Sequence, residues 1–99
     1  MRNAYTVERL EELLKDVFVK NGVTKAIVFG SYAKGSAKRG SDIDLCVETT
    51  LRGLNFISLI EDIRQVLRID PDVVRASEVI EGSRLDREIK KDGVVIYEG

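Results

Sequence analysis

The 99-residue sequence contains no histidine and no tryptophan, a single cysteine and a single proline. Without histidine, a zinc centre would lack one of its usual ligands, and the lone Cys46 supplies neither a second ligand nor an internal disulfide. That cysteine usage suits an intracellular protein. Long apolar runs are also missing. None approaches the length of a signal-peptide core or a membrane span, so a soluble cytoplasmic chain without membrane contact is expected. Nor is there an excess of charge of one sign: 16 basic residues against 17 acidic ones give a net charge of −1. Such a chain has no strong field with which to hold DNA or RNA regardless of sequence, and no direct nucleic-acid partner is expected. Repeats, low-complexity tracts and linkers are absent. A chain of this size buries one hydrophobic core but hardly two, so residues 1–99 are expected to form a single domain.

What is present is a regular alternation of helical and strand patterns. Val7, Leu10, Leu13, Leu14 and Val17 follow helical spacing from Val7 to Lys20, with Thr6 as N-cap and Gly22 beyond the end. Lys25 to Phe29 is a short apolar run stopped by Gly30, as in a buried strand. Gly30 to Ser41 predicts an irregular loop with one helical turn. Asp42 to Glu48 alternates polar and apolar residues, the period of a strand with two unlike faces. After a turn at Arg52 and Gly53, Phe56, Ile57, Ile60, Ile63 and Leu67 predict an amphipathic helix. A strand is expected from about Asp72, with Pro71 suited to its first residue. Ser83 caps a last short helix ending at Gly93, and Val94 to Tyr97 forms a strand or extended tail. The fold class is α/β (α+β), helices packed on a small sheet.

The chemistry is concentrated in Gly30-Ser31-Tyr32-Ala33-Lys34-Gly35-Ser36-Ala37-Lys38-Arg39-Gly40-Ser41-Asp42-Ile43-Asp44. Residues two apart on a strand share a face, so Asp42 and Asp44 project together while Ile43, Leu45 and Val47 enter the core. Two adjacent carboxylates repel unless a cation lies between them. Magnesium suits them: it prefers oxygen ligands, keeps several waters, and is commonly held by one or two carboxylates together with substrate phosphates. A pair of such ions about 4 Å apart stabilises both the attacking and the leaving oxygen of an in-line displacement at phosphorus. Gly30, directly after a strand, lets the backbone approach a phosphate, and Ser31 adds a hydroxyl donor. Lys34, Lys38 and Arg39 are near enough in sequence to offset triphosphate charge.

Taken alone, a Gly-Ser after a strand is usually a turn, and an Asp-x-Asp is usually a polar strand end. Their order, strand then Gly-Ser loop then basic spacer then paired carboxylates, gives them meaning. A Walker-type loop is excluded because no Gly-Lys-Ser or Gly-Lys-Thr follows Gly30, and a calcium loop because Leu45 and Val47 replace oxygen ligands. Cys46 and the tyrosines Tyr5, Tyr32 and Tyr97 are explained by packing as well as by any chemical role.

Gly30-Ser31, the basic spacer and Asp42-x-Asp44 resemble the signature of the DNA polymerase beta type nucleotidyltransferase superfamily, and the short length resembles its minimal nucleotidyltransferase branch. The resemblance implies a small mixed β-sheet with helices packed on it, and a third carboxylate on a strand after the middle helix. Asp72 is similar to that position; Asp70, on the other side of Pro71, is the alternative. The implied site has Asp42, Asp44 and Asp72 as catalytic residues and ligands of two Mg²⁺ ions, with Gly30, Ser31, Arg39 and Ser41 at the nucleotide. Minimal nucleotidyltransferases of prokaryotes often serve as antitoxins of HEPN-domain ribonuclease toxins. The resemblance therefore implies transfer of AMP from ATP to a tyrosine hydroxyl of such a toxin, in a hetero-oligomer of a type VII-like toxin–antitoxin pair. A homodimer is compatible with the sequence. Two rivals stand beside this reading, a binding module that neutralises its partner by contact alone and a small-molecule nucleotidyltransferase.

Overall fold

In the computed structural model, which describes residues 4–38 and 40–99, α1 spans Val7–Lys20 and begins as its cap predicts. The Thr6 side chain accepts a hydrogen bond from the Arg9 N–H at 3.1 Å. Leu10, Leu14, Val17 and Phe18 form its buried stripe. The chain continues through β1 (Lys25–Phe29), α2 (Gly30–Lys34), β2 (Ile43–Glu48), α3 (Leu54–Leu67), β3 (Pro71–Arg75), a 3-10 turn (Ala76–Glu78), α4 (Arg84–Asp92) and β4 (Val94–Glu98). The helical turn expected after Gly30 is thus α2, and the C-terminal segment is a strand.

The four strands form one mixed sheet in the order β3-β2-β1-β4. β1 pairs antiparallel with both β2 and β4, whereas β2 and β3, joined through α3, run parallel. Such a parallel pair needs a crossover, and α3 supplies it. One face carries the core. Ile43, Leu45 and Val47 of β2 join Ala26 and Val28 of β1, Ile96 of β4, Leu10, Leu14 and Phe18 of α1, and Leu59, Ile63 and Leu67 of α3 in a single apolar cluster. Tyr97 of β4 packs on Phe18 with ring centroids 5.4 Å apart. The opposite face takes the alternate residues of β2, among them Asp44 and the buried Cys46. On that side α4 packs against α2 and β1.

Gly93, expected simply to stop α4, has a second reason to be glycine. A Cβ there would stand 2.8 Å from Ile27 Cγ2 and would press into the Ile89 carbonyl oxygen. The Gly93→Ala variant is therefore expected to lose about 1–3 kcal/mol of stability. A thermal melt followed by circular dichroism should show a midpoint lowered by roughly 5 °C or more; an unchanged midpoint would refute the close-packing account.

Candidate active site

The site is assembled where three strand ends meet. β1 ends at Phe29, whose register partner on β2 is Asp44; Asp44 is in turn opposite Asp72 on the parallel neighbour β3. Asp42 precedes the first residue of β2 and is exposed, while Asp44, inside the strand, is half-buried. The two therefore differ in setting, although both lie at the same sheet end. Asp70 precedes β3 and turns elsewhere. Its carboxylate accepts a hydrogen bond from Arg64 Nε at 3.1 Å, and its carbonyl accepts one from the Ile43 N–H at 3.2 Å. Of the two candidate third carboxylates, the structure brings Asp72 beside Asp44.

The electrostatics follow from this crowding. Burial pushes the Asp44 carboxyl above its ordinary value of 3.8, and the nearby Asp72, Asp42 and Glu88 push it in the same direction. Among the described residues, no ion pair includes Asp42, Asp44 or Asp72. Uncompensated carboxylates around a half-buried aspartate are a donor set for a hard cation. The described residues nevertheless contain no group of three or more acidic, cysteine or histidine side chains arranged to hold a metal by themselves. The carboxylates fit magnesium in the manner in which that ion is commonly bound, with waters and substrate phosphate oxygens completing the shell. Glu88 was not legible as part of this field, because only the packing of α4 under the sheet brings it near Asp44.

Gly30 ties the loop to the carboxylates. It adopts φ +70°, and a Cβ placed on it would collide with Asp44 Oδ2 and lie 3.2 Å from Asp44 Cγ. The backbone thus passes directly over the carboxylate, as only glycine permits. Gly30 opens α2, whose N-cap Phe29 offers no side-chain hydrogen bond to the first turn. The leading N–H groups of that turn are left for another acceptor. Ser31 is half-buried in this turn, and its carbonyl accepts hydrogen bonds from Ser36 and Ala37, folding the loop back.

The remaining sequence candidates divide. The Ser41 hydroxyl accepts a hydrogen bond from the Lys38 N–H at 2.9 Å, so it shapes the loop leading into Asp42. Lys34 pairs with Asp92 at 3.8 Å, linking α2 to α4. Lys38 is exposed, and Arg39 lies outside the described residues. Tyr32 is buried in the core, where burial and Tyr5 raise its pKa. The Tyr5 hydroxyl donates to the Leu67 carbonyl at 2.8 Å. Cys46 is buried and its thiol is pushed up by burial and Glu48, which makes it a poor nucleophile.

Comparison with known proteins places this arrangement. A family model described as polymerase beta, nucleotidyltransferase, matches residues 12–99. The chain is 36% identical to protein adenylyltransferase MntA of Thermococcus cleftensis, over 78% of this chain and 84% of that protein. A crystal structure of a toxin–antitoxin with AMP-PNP includes a chain that superposes with a TM-score of 0.76 at 22% identity, covering 90% of this chain and 73% of that one. A structure of a tri-AMPylated Shewanella oneidensis HEPN toxin in complex with its MNT antitoxin gives a TM-score of 0.70 at 18% identity, covering 95% and 74%. These two structures establish the fold.

Proposed function

This chain belongs to the polymerase beta nucleotidyltransferase family and is a nucleotidyltransferase; from that premise we propose that it transfers AMP from ATP to a tyrosine hydroxyl of a helical HEPN-domain ribonuclease toxin and acts in the cytoplasm as its antitoxin. The observation that carries this reading is the placement of Asp44 opposite Asp72, with Asp42 at the same sheet end and Gly30 laid over Asp44. The 36% identity to a protein adenylyltransferase supports a protein acceptor.

Asp42, Asp44 and Asp72 would hold magnesium, which when bound neutralises triphosphate charge and favours ionisation of the acceptor hydroxyl. The chain's own groups position the substrate. Gly30 lets the loop lie directly over the Asp44 carboxylate, and the uncapped N–H groups of α2 and the Ser31 hydroxyl donate to the phosphate oxygens. Electrostatics and alignment supply most of the rate in phosphoryl transfer, so a chain without histidine is competent for it.

Incubating the chain with ATP, magnesium and the product of the adjacent gene, followed by intact-mass analysis, tests the proposal. One or more adenylate increments on the partner, mapped to tyrosine, are expected. Tight binding with no increment would replace the proposal with neutralisation by contact, and transfer only to small hydroxyl compounds would redirect it to a small-molecule acceptor. In the same assay Asp72→Asn is expected to lose about 10²-fold or more in rate, the scale of removing one charge-stabilising group. Asp70→Asn, whose carboxylate faces Arg64, should stay within a few fold of the parent. The reverse order would exchange their roles.

A further inference from the structure

A second polar cleft lies at the other end of β2 and β3 from the aspartates. β2 and β3 run parallel, with Asp44 and Asp72 near their starts; past their other ends, the β2–α3 connection and the 3-10 turn enclose a cleft of about 540 Å³. Its lining includes Thr49, Thr50, Arg52, Arg75, Ser77 and Glu78. Arg75 is also three residues from Asp72 along β3 and so projects from the opposite face of the sheet. We propose that this cleft is a second anion site, separate from the nucleotide site, that takes a phosphate group, either free or carried on a small molecule.

Arg75 is the anchor. Its guanidinium carbon lies 4.2 Å from the centroid of the Phe56 ring, and its Nη1 donates to Glu78 at 2.9 Å. Stacking fixes the plane and the Glu78 bond fixes the rotation, so the fork is held in place before any ligand arrives. Its Nε is buried and has no hydrogen-bond partner among the described residues. An unmet donor on a cation is costly, and a guanidinium held in one orientation offers charge-assisted donors to an oxyanion.

The surroundings point to the same chemistry. Arg52 is exposed and belongs to no ion pair among the described residues, so two cations in the cleft face the single carboxylate of Glu78. Arg52 directly precedes Gly53, the cap of α3, which contributes no side-chain bond, and the first turn of α3 contains no acidic residue. The positive end of that helix therefore adds to the field without being neutralised locally. Thr50 and Ser77 place hydroxyl donors in the lining and commit them to no other group among the described residues. A phosphate, with several oxygens and up to two charges, can engage Arg75, Arg52 and a hydroxyl together; a chloride offers one atom.

The test is a titration of the ¹⁵N-labelled chain with inorganic phosphate, and separately with AMP, at constant ionic strength, following the Arg75 Nε–H resonance. A saturable shift is expected, with the same midpoint in Asp44→Asn and a midpoint roughly tenfold or more weaker in Arg52→Gln, the scale of one lost charge-assisted bond. Arg52 is exposed, so its substitution leaves the core intact where an Arg75 variant would disturb the Phe56 stack. A response to phosphate identifies the free ion as a ligand, and a response to AMP alone identifies an ester-borne phosphate. A shift reproduced by chloride, no saturable shift with either probe, or equal midpoints for the parent and Arg52→Gln would overturn the proposal.

Discussion

Asp44→Asn is expected to lower nucleotide transfer by about 10³-fold or more, the upper range for removing one preorganised charge-stabilising group, and at the same time to raise the melting temperature at neutral pH. Both effects have one origin. Asp44 is half-buried, and burial together with Asp72, Asp42 and Glu88 disfavours its charged form. Its folded-state pKa therefore lies above the ordinary 3.8. For a carboxyl shifted upward, the folded state holds the proton more tightly than the unfolded state. Stability then falls as pH rises from the ordinary value through the folded-state value, and the loss persists at neutral pH. An uncharged asparagine of similar size avoids it.

The difference in melting temperature between Asp44→Asn and the parent should accordingly shrink as pH falls through that window and vanish below it. Magnesium should stabilise the parent more than the variant, since a ligand that binds only the folded state adds stability by mass action. Melting curves across pH, with and without magnesium, measure all of this. A variant that melts below the parent at neutral pH would show that the Asp44 carboxylate is structurally satisfied, contrary to the crowding of negative charge around it. Retained transfer activity in the folded variant would remove Asp44 from the chemistry.

Gly30→Ala is expected to be nearly as damaging to transfer, by about 10²-fold, the scale of an ångström-sized misplacement of reacting groups. The new Cβ would occupy the space of Asp44 Oδ2, at a backbone φ of +70° that L-residues rarely adopt. Left-handed backbone costs a non-glycine residue roughly 1–2 kcal/mol, so the variant should also melt lower than the parent. The carboxylate is displaced while its charge is kept, which makes the signature the opposite of Asp44→Asn: both variants lose activity, but one melts higher and the other lower. Equal melting temperatures for Gly30→Ala and the parent would show that loop and carboxylate move apart freely, and that the close approach has no role in holding the site.

Much of this was legible in the chain itself because the signals are local. Helical spacing from Leu10 to Val17, the Thr6 and Ser83 caps, and the alternation of Ile43, Leu45 and Val47 with polar neighbours each depend on residues within a turn or a strand length. Both caps form, with Arg9 and Asp86 as the donors. The Gly30-Ser31 loop and the Asp42-x-Asp44 spacing were legible for the same reason, and with them the kind of chemistry. By itself the sequence determined the helices and the first three strands, the two faces of β2 and the family to which its motif is similar. The 3-10 turn and the pairing of Val94–Glu98 as a strand came from the structure.

Tertiary structure decided what depends on residues distant in sequence. The order β3-β2-β1-β4 set Asp72 opposite Asp44 and left Asp70 to Arg64. A turn flanking a proline reads the same whichever carboxylate faces the sheet, and only the parallel register distinguishes them. Glu88 entered the field of Asp44 because α4 folds back under the sheet, and Arg75 was stacked on Phe56 because α3 crosses over β3. Local pattern fixes which way a side chain points relative to its own strand or helix. What it meets there depends on which other elements pack alongside, and for Asp44 that is a glycine fourteen residues earlier and an aspartate twenty-eight residues later.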